Sequence, residues 1–110
     1  KPYITSANAH HGPGENKWSS IIDAAAKKHG VKLLIAGHNH IYEHFMCGGI
    51  HYVTSAAAGR KFYAGECKGT CGGVKCVENT NGFLKVSVGA SLLCQFISNS
   101  GQELDSFQIA

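Results

Sequence analysis

The sequence predicts an α/β domain, a strand–helix–strand unit followed by an antiparallel meander. Three observations carry that prediction. Residues 16–29 have apolar positions at helical spacing and lie between two β-rich segments, 3–9 and 31–36. The second of these, Val-Lys-Leu-Leu-Ile-Ala, is almost continuously apolar, as strands of parallel sheets are when both faces are covered. The last third alternates apolar and polar residues between short turns. With 110 residues, 44% of them hydrophobic and 15% charged, the chain suits one folded domain and is neither disordered nor fibrous.

Taken in order, Tyr3, Ile4 and Thr5 supply β-formers to a strand over 3–9, and His10-His11-Gly12-Pro13-Gly14 breaks it. The helix follows over 16–29. Trp18, Ile21, Ile22, Ala25 and Ala26 form its expected apolar stripe, and Asn16 is its expected N-cap. Lys27, Lys28 and His29 place positive charge at its C-terminus, before Gly30 as the left-handed stop. The strand over 31–36 ends at Gly37-His38-Asn39-His40, and a further strand runs over 49–55. Residues 60–81, rich in glycine and cysteine, read as an irregular loop. Strands over 83–88, 92–97 and 104–109 complete the meander, with turns at 89–90 and 99–101. No repeat and no linker divides the chain, so 1–110 reads as a single unit. It opens Lys1-Pro2 and enters a strand pattern at once without a basic-then-apolar leader, which suggests a piece of a longer protein.

Charge and apolar runs exclude some partners. The net charge is +3, but the lysines are scattered and form no dense basic stripe, so no nucleic-acid partner is expected. The apolar run at 33–37 is far too short to span a membrane, and no membrane partner is expected.

The seven histidines are the chemical signal. A strand–helix–strand unit closes as a right-handed parallel crossover, and ligands bind beyond the carboxyl ends of such strands. His10 and His11 follow the first strand directly; His38 and His40 follow the second. Neighbouring strands would bring both groups to one edge of the sheet. Imidazoles in such a cluster suit zinc, iron, manganese or nickel. Placement on loops, satisfied by backbone and water, is the alternative. His29 reads as a helix-end cation and His51 as a surface residue.

Four segments carry a resemblance to a known family. They are Tyr-Ile-Thr-Ser-Ala-Asn-Ala-His-His-Gly-Pro from Tyr3, the helix from Trp18 to Gly30, the Gly-His-Asn-His-Ile-Tyr-Glu-His run from Gly37, and Gly-Ile-His-Tyr-Val-Thr-Ser-Ala-Ala-Ala-Gly from Gly49. Together with the closing strands they resemble the C-terminal part of calcineurin-like metallophosphoesterases, most nearly the purple or tartrate-resistant acid phosphatases. The G-H-x-H motif is the most specific part of the match. The resemblance implies half of a metallophosphoesterase-type β-sandwich flanked by helices. It implies a metal-dependent phosphatase that hydrolyses phosphate monoesters with two divalent or trivalent ions (Fe, Zn or Mn) and a metal-bound hydroxide.

Carried over position by position, the resemblance makes His10 and His38 ligands of one ion and His40 a ligand of its partner. These three are the expected catalytic and metal residues. His11 touches substrate phosphate or nothing; Tyr42 flanks the pocket or packs; Arg60 contacts phosphate near the rim. The motif departs from the family at Gly12, where proline is usual, and at His44, where relatives often carry arginine. The family's aspartate-x-histidine, bridging aspartate and asparagine–histidine motifs are absent. Glu15, Asp23, Glu43, Glu66, Glu78, Glu103 and Asp105 follow no matching strand end. The isolated chain is therefore expected to hold at most one ion weakly and to be weakly active or inactive. Its implied partner is the missing N-terminal half of the domain, and a bare sheet edge would favour homo-oligomers. The alternative is a non-enzymatic module that binds a divalent metal or pairs with another chain.

Cys67, Cys71 and Cys76 are disulfide candidates stapling the irregular loop. Their spacing fits a zinc knuckle poorly. Cys47 is close enough in pattern to pair with any of them, and Cys94, alternating with Leu92 and Phe96, reads as a buried small hydrophobe. Disulfides would imply a secreted, lysosomal or extracellular setting, although the chain has no Asn-x-Ser/Thr sequon.

Overall fold

A computed structural model of the chain describes residues 17–65 and 71–110. Helix α1 (Lys17–Lys28) is followed by strands β1 (Leu33–Ala36), β2 (Tyr42–Cys47), β3 (Ile50–Ser55), β4 (Gly72–Val77), β5 (Gly82–Val88), β6 (Leu92–Ser98) and β7 (Glu103–Ile109). The strands form two sheets, one of order β1-β3-β2-β4 and one of order β5-β6-β7. The predicted α/β class therefore stands as a mixed, mostly β arrangement with one short helix. The predicted strand over 3–9, its pairing and the Asn16 cap lie outside the described residues, as does the side chain of Trp18.

Register decides what each face of the first sheet meets. β2 and β3 pair antiparallel, His44 opposite Val53 and Met46 opposite His51, and β3 pairs parallel with β1. Strand side chains alternate between faces. Phe45, Ile50 and Tyr52 therefore share one face and form a core with Ala26 of α1. Tyr42 and Val53 share the other and form a second core with Phe96 of β6. The first sheet is thus the middle layer between the helix and the second sheet. Burying Phe45, Tyr42 and Phe96 almost completely removes three aromatic rings from water, each worth roughly 2–3 kcal/mol.

Three expectations need correction, and one unassigned stretch gains a strand. The apolar stripe of α1 faces the sheet only at Ala26 among its described side chains: Ile21 is 58% and Ile22 52% exposed, while Ala26 and the polar Asp23 are buried. Small Ala26 lets the helix approach Phe45 and Tyr52, and the Tyr52 hydroxyl donates to Asp23 Oδ1, which sets the helix roll. Lys27 Nζ reaches Asp23 Oδ2 at 2.7 Å. Burial alone would raise the Asp23 pKa, but these two partners bring it below the usual carboxylate value. Next, β1 is covered only in part, with Leu34 packed on the helix-side core and Leu33 on the other. It is an edge strand among the described residues, and Ile35 stays 55% exposed. Residues 42–47, left unassigned in the sequence, form β2 at the centre of the sheet. Finally, the irregular reading of 60–81 fails at β4, which pairs antiparallel with β2. Between the pairs His44–Lys75 and Phe45–Gly73 the register slips, leaving Val74 as a bulge. Glycines and a bulge hid the strand pattern there.

The meander strands fall where alternation places them, with boundaries shifted by at most one residue. Cys47 is disulfide-bonded to Cys71, tying the end of β2 to the approach to β4. Cys76 is disulfide-bonded as well, and Cys94 is free and buried as expected. Cys67 lies outside the described residues. No helix among the described residues is long and apolar enough to cross a membrane.

Candidate functional site

The G-H-x-H segment forms the tight connection from β1 to β2. Asn39 N–H donates to Gly37 O at 3.0 Å, and Ile41 N–H donates to Asn39 O at 2.8 Å. His38 takes a left-handed backbone with φ of 76° and its side chain is exposed. Few non-glycine residues sit there, and the conformation costs roughly 1–2 kcal/mol. Asn39 and Ile41 are fully buried, so the turn is anchored on both sides of the strained residue.

His40 is held from the next loop. Its Nδ1 lies 2.8 Å from Lys61 O, and Tyr63 N–H donates back to His40 O at 3.0 Å. The Tyr63 ring packs 4.6 Å from the imidazole, centroid to centroid. A carbonyl oxygen only accepts, so Nδ1 must carry a proton, and in the neutral ring Nε2 then keeps its lone pair. This is the tautomer of a metal-ligating histidine, its far nitrogen steered by a backbone carbonyl.

The loop that supplies this carbonyl is pinned along its length. Gly59 N–H donates to Asn81 Oδ1 at 2.9 Å, and Gly65 N–H donates to Glu78 Oε1 at 2.6 Å. Gly82 N–H donates to Ala57 O at 2.9 Å, linking this loop to β5. The connections leaving the C-terminal ends of parallel strands β1 and β3 thus meet at His40, which is the position such sheets use for ligands.

The remaining predicted residues divide. His10 and His11 lie outside the described residues. Arg60 is exposed, in the same connection as Lys61. Tyr42 does not face a substrate rim: it is fully buried, its ring stacks on Phe96 at 4.0 Å, and its hydroxyl donates to Asp105 Oδ2 at 2.7 Å. Burial and the carboxylate beside it push the phenol pKa far up, so it remains protonated. Among the described residues, no group of three or more His, Cys, Asp or Glu side chains is arranged to hold a metal ion. His38 and His40 fit a divalent cation by donor chemistry, as a partial ligand set.

A second polar cluster went unread in the sequence. His44 Nδ1 lies 3.0 Å from the same Asp105 Oδ2, and His44 Nε2 lies 2.8 Å from His51 Nδ1. His51 is accordingly not a surface residue but a half-buried one between the sheets. The available signal was the two-residue spacing of Tyr42 and His44, which places both on one strand face; leaving that stretch without an assigned strand concealed it. The chain was compared with known families and curated proteins: no family model matches it, and no curated protein matches it.

Proposed function

We propose that this chain is the C-terminal part of a dinuclear-metal phosphoesterase, an acid phosphatase-like enzyme hydrolysing phosphate monoesters. The observation that carries the reading is the His40 imidazole, whose Nδ1 is engaged by Lys61 O and whose Nε2 is left as a donor beside the strained His38 turn. Neutral imidazole nitrogens are ligands for zinc, iron and manganese. The motif resemblance supports the same residues and adds His10 as a third. In the phosphoesterase reading, His38 and His40 would help hold cations that, when bound, would supply Lewis-acid polarisation of phosphate and activation of a nucleophile. This chain's own contribution is to orient: Lys61 O and Tyr63 fix the ring of His40, and the bent backbone at His38 presents the other ligand. Arg60, exposed in the same connection, is the side chain suited to a phosphate oxygen. The carboxylates that hold two cations together belong, in this reading, to a preceding half of the domain. The 110 residues alone would then be weakly active or inactive. Disulfide bonding at Cys47–Cys71 supports a secretory, lysosomal or extracellular setting.

The test is a zinc or manganese titration of the purified chain by calorimetry, with p-nitrophenyl phosphate hydrolysis measured in parallel. Binding is expected, weakened at least tenfold by His40→Ala, which corresponds to about 1.4 kcal/mol. Hydrolysis is expected to be slow until the preceding half is supplied. No binding by the parent chain, or equal binding by His40→Ala, would reject the metal site. Binding by a longer natural product without hydrolysis would favour the non-enzymatic metal-binding module.

A further inference from the structure

A hydrogen-bonded line of side chains crosses from one sheet to the other, away from the G-H-x-H turn. It starts on β7, where Asp105 Oδ2 accepts from both Tyr42 Oη and His44 Nδ1, and it continues from His44 Nε2 to His51 Nδ1 on β3. Phe107 stacks on both imidazoles, 4.0 Å from His44 and 4.7 Å from His51. His44 is 1% exposed and the Asp105 side chain 11%. The register slip between Phe96 and Ile97 of β6 sets up the line. It leaves Leu104 as an extra residue, so that Leu104 packs into the core while Asp105 still points to β2.

We propose that Asp105, His44 and His51 form a pH-sensitive clasp between the two sheets, which accommodates one added proton and releases β7 when it takes a second. The counting follows from the donors. With both rings neutral, His44 Nδ1–H donates to Asp105, and His51 Nδ1–H donates to His44 Nε2. One added proton makes His44 a cation donating to Asp105 and to His51 Nδ1, and every hydrogen bond survives. A second proton sets N–H against N–H across the 2.8 Å contact and places two cations side by side. The contact must then open, and the Phe107 stack over the two rings opens with it.

The surroundings offer no relief. Among the described residues, β6 presents the Cys94 thiol toward Tyr42. β4 brings Lys75 into register with His44, a further positive charge, and β1 aligns uncharged Leu33 with His51. β5 contributes Leu84 to the same core. Burial, and then the neighbouring His44, lower the His51 pKa against a smaller opposing pull from Asp105. Asp105, which burial alone would push up, is held down by hydrogen bonds from His44 and Tyr42. The direction of the pH effect follows. His51 protonates in the unfolded chain before it does in the fold, so its contribution is present above the ordinary imidazole value of about 6.5 and is lost as pH falls through it. Asp105 adds a further loss below about pH 4, where the unfolded carboxylate protonates first.

The clasp does not depend on the metal reading, and its test is run with chelator present. Thermal unfolding of the parent chain is compared with His51→Gln, and with His29→Gln as a control outside the clasp. Between about pH 7.5 and about pH 5, the parent and the control are expected to lose roughly 4–8 °C more than His51→Gln. Should His51→Gln fail to fold, imidazole NMR and amide exchange on the parent decide. His51 is expected to titrate below the ordinary imidazole value, with β7 amides losing protection at the same pH. Parallel melting curves for parent and His51→Gln would overturn the clasp. So would His51 titrating at the ordinary value with β7 still protected.

Discussion

At the scale of single residues, His38 and His40 are built differently, and the difference is testable. His40 is fixed by partners, Lys61 O on one ring nitrogen and Tyr63 on its face. His38 carries backbone strain, with φ of 76° at a residue type that disfavours it. Strain of that kind persists where the surrounding structure over-determines it, here through buried Asn39 and Ile41. Replacing His38 by glycine removes the steric cost and the imidazole together. His38→Gly is expected to weaken zinc binding at least tenfold, while urea unfolding reads the balance between relieved backbone strain and the lost contacts of the ring. Lower stability in the variant would mean that the ring of His38 contributes more to the fold than its backbone costs. The sequence disclosed the identity of this pair through motif spacing alone. It did not disclose the hydrogen bond from His40 to Lys61, because that partner is a main-chain oxygen twenty-one residues away and any residue type could supply it.

At the scale of elements, the meander was legible, and of the first sheet β1 and β3 were legible while β2 and β4 were not. Strands β5, β6 and β7 each bury one face and expose part of the other, so alternation survives in their residues. β2 is buried along four consecutive positions, and two of them, Glu43 and His44, are polar. A period-two pattern cannot appear when both faces are covered. α1 misled for the opposite reason: its two isoleucines point away from the sheet, while an aspartate tied to Tyr52 points in. The start of β5 shows how closely β5 and β6 approach within the second sheet. A Cβ at Gly82 would lie 2.5 Å from Ile97 O and 2.7 Å from the Phe96 ring. Gly82 also bonds to Ala57 in the loop that follows β3, so it has no freedom to withdraw. Gly82→Ala is expected to cost about 1–3 kcal/mol by overpacking. A thermal melt within a degree of the parent would show that this contact yields easily.

At the scale of the whole molecule, one sheet serves two neighbours with two chemistries. Its helix side is an apolar core around Phe45 and Tyr52, and its other side combines the Tyr42–Phe96 core with the Asp105–His44–His51 line. The ends of its parallel strands carry the G-H-x-H turn and the loop that grips it. The central claim is that this turn presents the Nε2 of His40 to a cation. The most direct test is an imidazole nitrogen NMR titration of the chain with zinc up to millimolar concentration. The His40 Nε2 resonance is expected to move on binding while Nδ1 stays protonated and bonded to Lys61 O. A His40 spectrum unmoved by zinc, or binding that engages Nδ1 instead, would contradict it.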